Sequence, residues 1–107
     1  MTDNNDNLPP DDRDLTQKLN SETGRISWEE LQRHFALGIV LVVSEQLDLI
    51  DVAVKLSEDD KHQCEIWLNS EQLWRASDED ARQWHTAKTE FWSVVVAPWV
   101  LVQAING

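Results

Sequence analysis

The chain has 107 residues, about one domain at roughly 100–200 residues each, which excludes a multidomain machine. Its 20 acidic residues against 9 basic ones give a formal net charge of -11. That is the wrong sign for neutralising a phosphate backbone, so direct nucleic-acid binding is not expected.

Residues 1–14 hold five aspartates, one arginine and a Pro9-Pro10 pair, with little to bury besides Leu8. Ordering such a segment costs about 1–2 kcal/mol of backbone entropy per residue with no apolar return, so it reads as a disordered acidic tail. The segment also lacks the basic start and apolar centre of a secretory signal. Residues 15–107 then form a single domain that is itself acidic, with 15 acids against 8 bases.

Leu15, Lys18 and Leu19 stand at helical spacing and predict two turns ending near Gly24. Ser27-Trp28-Glu29-Glu30 is a capping-box pattern, and Trp28, Leu31, Phe35 and Leu37 continue an apolar stripe. A helix over 28–37 follows, stopped by Gly38. Ile39–Val43 is a run of five apolar, mostly β-branched residues, the pattern of a strand covered on both faces. From Leu49 to Ser57 two periods compete. Strict alternation in 51–57 suits a strand, whereas acids near the start and the Asp51/Lys55 pair suit a helix. The helix is favoured, and the strand stays as the alternative.

Asp59 or Asp60 caps a further helix through Asn69, with Cys64, Trp67 and Leu68 as its expected buried face. Leu73–Ala76 is a short strand candidate at an edge. Ser77 followed by Asp80 repeats the helix-start chemistry, with Ala81, Trp84, Lys88 and Phe91 along one side and an end near Thr89. Trp92–Ala104 is Val-rich and extended, and Pro98, which donates no ladder hydrogen bond, marks a bulge, an edge or a break between two strands. The fold class expected is α+β: a single small domain of four to five helices packed on a small mixed β-sheet.

The single Cys64 rules out a disulfide within the chain and suits a reducing compartment. The longest apolar run, Val94–Val102, is interrupted by Pro98 and falls short of the roughly 20 residues a membrane span needs. A soluble, cytoplasmic protein without a membrane role is expected. Asp59, Asp60, His62 and Cys64 are metal-ligand types, but on a helix His62 and Cys64 project about 200° apart and cannot share an ion. No glycine-rich phosphate loop or nucleophile elbow is present, so no cofactor, metal or catalytic residue is assigned.

Two features call for a partner. Asp48 and Asp51 begin a largely apolar helix whose polar stripe is acidic, and Asp59 and Asp60 follow it; a groove so lined attracts basic groups. Six tryptophans with no tyrosine is an uneven aromatic choice. Trp28, Trp67 and Trp84 fall on apolar helix faces and read as core. Trp74, Trp92 and Trp99 lie on strands where one face stays open, and tryptophan is favoured in binding hot spots. The residues singled out for partner binding are Asp48, Asp51, Asp59, Asp60, Trp74 and Trp99. The competing readings are an enzyme of unknown reaction using Asp59/Asp60/His62 and an acidic nucleic-acid mimic. Association between copies of the chain stays open.

Three stretches carry a family resemblance: Ser27-Trp28-Glu29-Glu30-Leu31-Gln32, then Leu47–Val54 leading to Glu58-Asp59-Asp60-Lys61, and Val94-Val95-Val96-Ala97-Pro98-Trp99-Val100-Leu101-Val102-Gln103. With them the chain, from about Leu19 to Gln103, resembles the bacterial domain of unknown function 2288 family. The resemblance implies a stand-alone small bacterial cytoplasmic domain and brings no reaction or catalytic residue with it. The expected function is a non-enzymatic protein-interaction or regulatory module.

Overall fold

The computed structural model describes residues 12–105. Along the chain run α1 (Asp12–Glu22), β1 (Gly24–Ser27), α2 (Trp28–Ala36), β2 (Val40–Val43), α3 (Leu49–Ser57), α4 (Lys61–Asn69), β3 (Leu73–Arg75), α5 (Asp78–Ala87), β4 (Glu90–Val96) and β5 (Trp99–Ala104). The five strands form one mixed sheet in the order β1-β4-β5-β2-β3. β2 and β5 are parallel, and the other neighbours are antiparallel. This is the α+β domain the sequence predicts, with Leu49–Ser57 helical and the Val-rich C-terminal segment split into a hairpin at Ala97-Pro98.

Alternation along the strands builds two apolar layers. On one side Leu41, Val43, Leu73, Val94 and Leu101 pack under α1 and α3 with Leu19, Leu49 and Val52. On the other, Val40, Val42, Phe91, Val100 and Val102 pack under α2 and α5 with Trp28, Leu31 and Trp84. The parallel β2 strand is buried at all four positions, as a strand covered on both faces must be.

Local chemistry starts the helices where the sequence places them. The Ser27 hydroxyl accepts from the Glu30 N–H at 3.2 Å, and the Glu30 carboxylate accepts from the Ser27 N–H at 3.3 Å. Ser77 and Asp80 repeat the arrangement at the head of α5. Of the two capping candidates for α4, Asp60 serves, accepting from the Gln63 N–H at 3.1 Å.

Several expectations need correcting. α1 begins at Asp12, so Asp12–Asp14 are helical rather than part of the tail; the remainder of that segment lies outside the described residues. β1 is an added strand. It contains only Ile26 as an apolar side chain, and pairing with β4 creates it. Leu37 caps α2 instead of continuing its buried stripe and is 70% exposed. α4 buries none of its residues: Leu68 is 47% exposed, and Cys64 and Trp67 are half-buried. Its tertiary neighbours are α3 and the three-residue β3 at the sheet margin, which leaves one side of the helix in water.

Four helices end with the same hydrogen bond, from a residue just beyond the helix to the carbonyl five positions earlier: Ile39 to His34, Asp60 to Lys55, Gln72 to Trp67 and Thr89 to Trp84. This Schellman ending needs a left-handed residue, for which glycine has no Cβ penalty. α2 uses Gly38 at φ 73, whereas α3, α4 and α5 use Asp59 at φ 58, Glu71 at φ 61 and Lys88 at φ 52. A left-handed L-residue costs about 1–2 kcal/mol. Glu71 and Lys88 are exposed, so little packing opposes a change there. Glu71→Gly and Lys88→Gly are therefore each expected to stabilise the protein by about 0.5–1 kcal/mol after the extra unfolded-state entropy of glycine is subtracted. Thermal denaturation reads this as a rise of a few degrees. Gly38→Ala must fall instead, because alanine at φ 73 takes on the left-handed cost that glycine avoids, and its Cβ also has to displace the end of the Arg75 side chain.

Candidate functional site

The side chain of Trp92 in β4 sits in a row fixed by strand register: Arg25 of β1 on one side and Gln103 of β5 on the other. The Arg25 guanidinium carbon lies 5.7 Å from the centroid of the Trp92 ring. Its charge is also shared with the Glu90 carboxylate at 2.6 Å. Both partners of that pair are well exposed, so the ion pair itself adds little stability.

Gln103 anchors the opposite flank. Its amide nitrogen donates to the Ser44 carbonyl at 2.9 Å and to the Leu47 carbonyl at 2.8 Å, tying the β2–α3 loop to the sheet. Those two bonds use both amide protons, which orients the side chain and leaves its carbonyl oxygen as the end with accepting capacity. At the loop's end Asp48 caps α3: one carboxylate oxygen accepts from the N–H of Ile50 at 2.8 Å and of Asp51 at 3.2 Å. Just beyond α1 the Thr23 hydroxyl donates to the Leu19 carbonyl at 2.8 Å.

These elements enclose an open groove of about 460 Å³ lined by Asn20, Thr23, Leu47, Asp48, Trp92 and Gln103 among others. That volume lies within the roughly 300–1,000 Å³ of small-ligand sites. Trp92 is 42% exposed.

The residues singled out from the sequence do not all meet here. Asp48 lines the groove, and exposed Asp51 follows in the first turn of α3. Asp59 and Asp60 lie beyond the other end of that nine-residue helix, about 13 Å along its axis at 1.5 Å per residue. Trp99 packs from the sheet face that α1 and α3 cover. Trp74 lies on the opposite face, where its indole N–H donates to the Asp80 carboxylate at 3.0 Å.

Around the Asp59/Asp60/His62 segment, Asp60 is engaged as a cap and His62 is exposed. Burial, then the charges of Asp60 and Asp59, pushes the Cys64 thiol above its usual pKa, the reverse of nucleophile activation. Among the described residues, no three His, Cys, Asp or Glu side chains are gathered to hold a metal ion. No described helix is long and apolar enough to cross a membrane.

Trp92 and Gln103 were not among the residues singled out for partner binding. Their signal is a polar Gln in a valine-rich segment and a Trp placed symmetrically about Ala97-Pro98, informative once a hairpin turn is set there.

The model of a family described as proteins of unknown function, DUF2288, matches residues 14–104. The chain belongs to this family. The NMR solution structure of PA1075 from Pseudomonas aeruginosa is similar, at 40% sequence identity and a TM-score of 0.78, covering 87% of this chain and 86% of that one. No curated protein matches. Membership thus brings a fold and no reaction.

Proposed function

We propose that this protein is a non-enzymatic interaction module of the bacterial cytoplasm that holds a protein partner at the groove between α1, α3 and the sheet. The observation that carries the reading is Trp92, a large ring 42% exposed within a concave surface. Covering such a ring with a partner returns apolar area to a dry environment, and tryptophan dominates binding energy when so placed. Asp48 and Asp51 form the acidic rim of this surface, and Asp59 with Asp60 extends the negative field to the far end of α3. Trp99 shares the sheet face of the groove without lining it, and Trp74 lies on the opposite face and takes no part in this surface.

The test is capture of tagged protein from a native bacterial lysate at low and near-physiological salt, beside a Trp92→Ala variant whose fold is checked by thermal melting. Partners retained at physiological salt by the parent and lost by Trp92→Ala are the expected result. A Trp92→Ala variant that keeps every partner at undiminished yield would falsify the proposal. Basic partners indifferent to Trp92 and released by salt would replace it with the acidic-mimic reading, because screening shortens to about 8 Å at 0.15 M.

A further inference from the structure

We infer that the Trp92 groove receives the charged end of a lysine or arginine side chain from a partner protein. This rests on the interaction-module reading and names what the groove recognises. Most of the polar side chains around it present acceptors, the Trp92 indole N–H and the Asn20 amide being the donors. Gln103 has spent both amide protons on Ser44 and Leu47, so it offers only its carbonyl oxygen. Asp48 uses one oxygen to cap α3, and its second oxygen makes no hydrogen bond among the described residues. Thr23 donates inward to Leu19, which leaves its hydroxyl oxygen to accept. Asn20 adapts to either role, and the Trp92 indole N–H can only donate, to a partner's backbone carbonyl for example.

An apolar side chain in this place would cover those acceptors without pairing them, at the cost of their desolvation. An anion would meet Asp48 within a chain of net charge -11. A basic side chain satisfies both conditions. Its charged head donates to Asp48 and Gln103, and its methylene stem lies along Leu47, Ile50 and the Trp92 ring, which also attracts cations through its π face. Arg25 already stands beside that ring, but it is paired with Glu90 at 2.6 Å and so leaves the demand of Asp48 unmet.

The experiment is a titration of isotope-labelled full-length protein, followed by NMR, with the peptide acetyl-Gly-Lys-Gly-amide. Its arginine and norleucine counterparts are run in parallel, since norleucine keeps the stem and removes the charge. Saturable shifts at the Trp92 indole, the Gln103 side-chain amide and the Asp48 backbone are expected with lysine and arginine, several-fold weaker with norleucine and weakened by salt. Asp48→Asn supplies the second arm, because asparagine caps a helix as well as aspartate does and removes only the charge. It is expected to weaken the lysine peptide several-fold while leaving the melting temperature nearly unchanged.

Equal binding of norleucine, shifts scattered over the acidic surface and insensitive to Trp92→Ala, or no shift up to millimolar peptide would each overturn the inference. The two readings fail separately. Partners lost with Trp92→Ala but unaffected by Asp48→Asn, with no peptide binding, would leave the module standing and remove the cation. Peptide binding without any Trp92-dependent partner would do the reverse.

Discussion

Phe91→Ala is expected to destabilise the protein by about 3–5 kcal/mol, a large share of the roughly 5–15 kcal/mol that holds a domain folded. Phe91 is fully buried and paired across strands with Ile26 of β1 and Ala104 of β5. Its ring meets Trp84 edge-on at 4.9 Å; Trp84 meets Trp28 at 5.6 Å, and Trp28 meets Phe35 at 5.7 Å. Removing the first ring empties the base of this row and loosens the hold of α2 and α5 on the sheet.

The row is worth enough to bury the Trp28 indole N–H with no acceptor among the described residues. An orphaned donor costs about 1–3 kcal/mol, and each aromatic pair returns about 0.5–1.5 kcal/mol beyond its buried area, so the three pairs offset it. Urea denaturation checks the prediction. Phe91→Leu must recover most of the loss, since it refills most of the volume without the ring. A loss below about 1 kcal/mol for Phe91→Ala would mean that the site collapses around the gap and the aromatic row does not anchor the helices.

What could be read from the sequence is what local chemistry decides. Ser27 with Glu30, Ser77 with Asp80, and an Asp before α3 announce helix starts within four residues, and the structure uses all three. The ambiguous Leu49–Ser57 segment resolves as a helix because both of its apolar sides find partners: Leu49, Val52, Ala53 and Val54 are buried, and Ile50 and Leu56 pack beside them. Long-range pairing decides the remainder. β1 has one apolar side chain and exists because β4 presents a ladder to it. α4 carries a plausible buried face and stays half in water because it sits at the sheet's margin.

The groove was illegible for a related reason. Trp92 and Gln103 become neighbours only when the turn falls on Ala97-Pro98, and a shift of one residue would send either side chain to the other face of the sheet. The same parity separates Trp74 from Trp99. Trp74 pairs with Val42 on the α2/α5 side, whereas Trp99 pairs with Val96 on the α1/α3 side.

Trp74 leads to the second large effect, at the head of α5. One oxygen of Asp80 accepts both the Ser77 N–H and the Trp74 indole N–H, each at 3.0 Å, while the Asp80 N–H donates to the Ser77 hydroxyl at 3.1 Å. Asp80→Ala removes half of the capping box and leaves a part-buried indole donor unpaired. A lost cap costs about 1 kcal/mol and an orphaned donor about 1–3, so a total near 2–3 kcal/mol is expected for this partly solvated site. Asp80→Asn keeps an acceptor oxygen in place and should lose much less. Ser77→Ala, which removes only the hydroxyl half of the box, should fall between the two.

A double-mutant cycle separates the indole from the cap. With Trp74→Phe already present, Asp80→Ala should cost only its capping share, because no donor is left to strand. Full additivity would mean that the Trp74–Asp80 bond carries no energy and that the ring remains available to a partner. Coupling of about 1 kcal/mol or more would assign Trp74 to holding β3 against α5. Trp92 is then the tryptophan left open to the groove, where the proposed partner would bind.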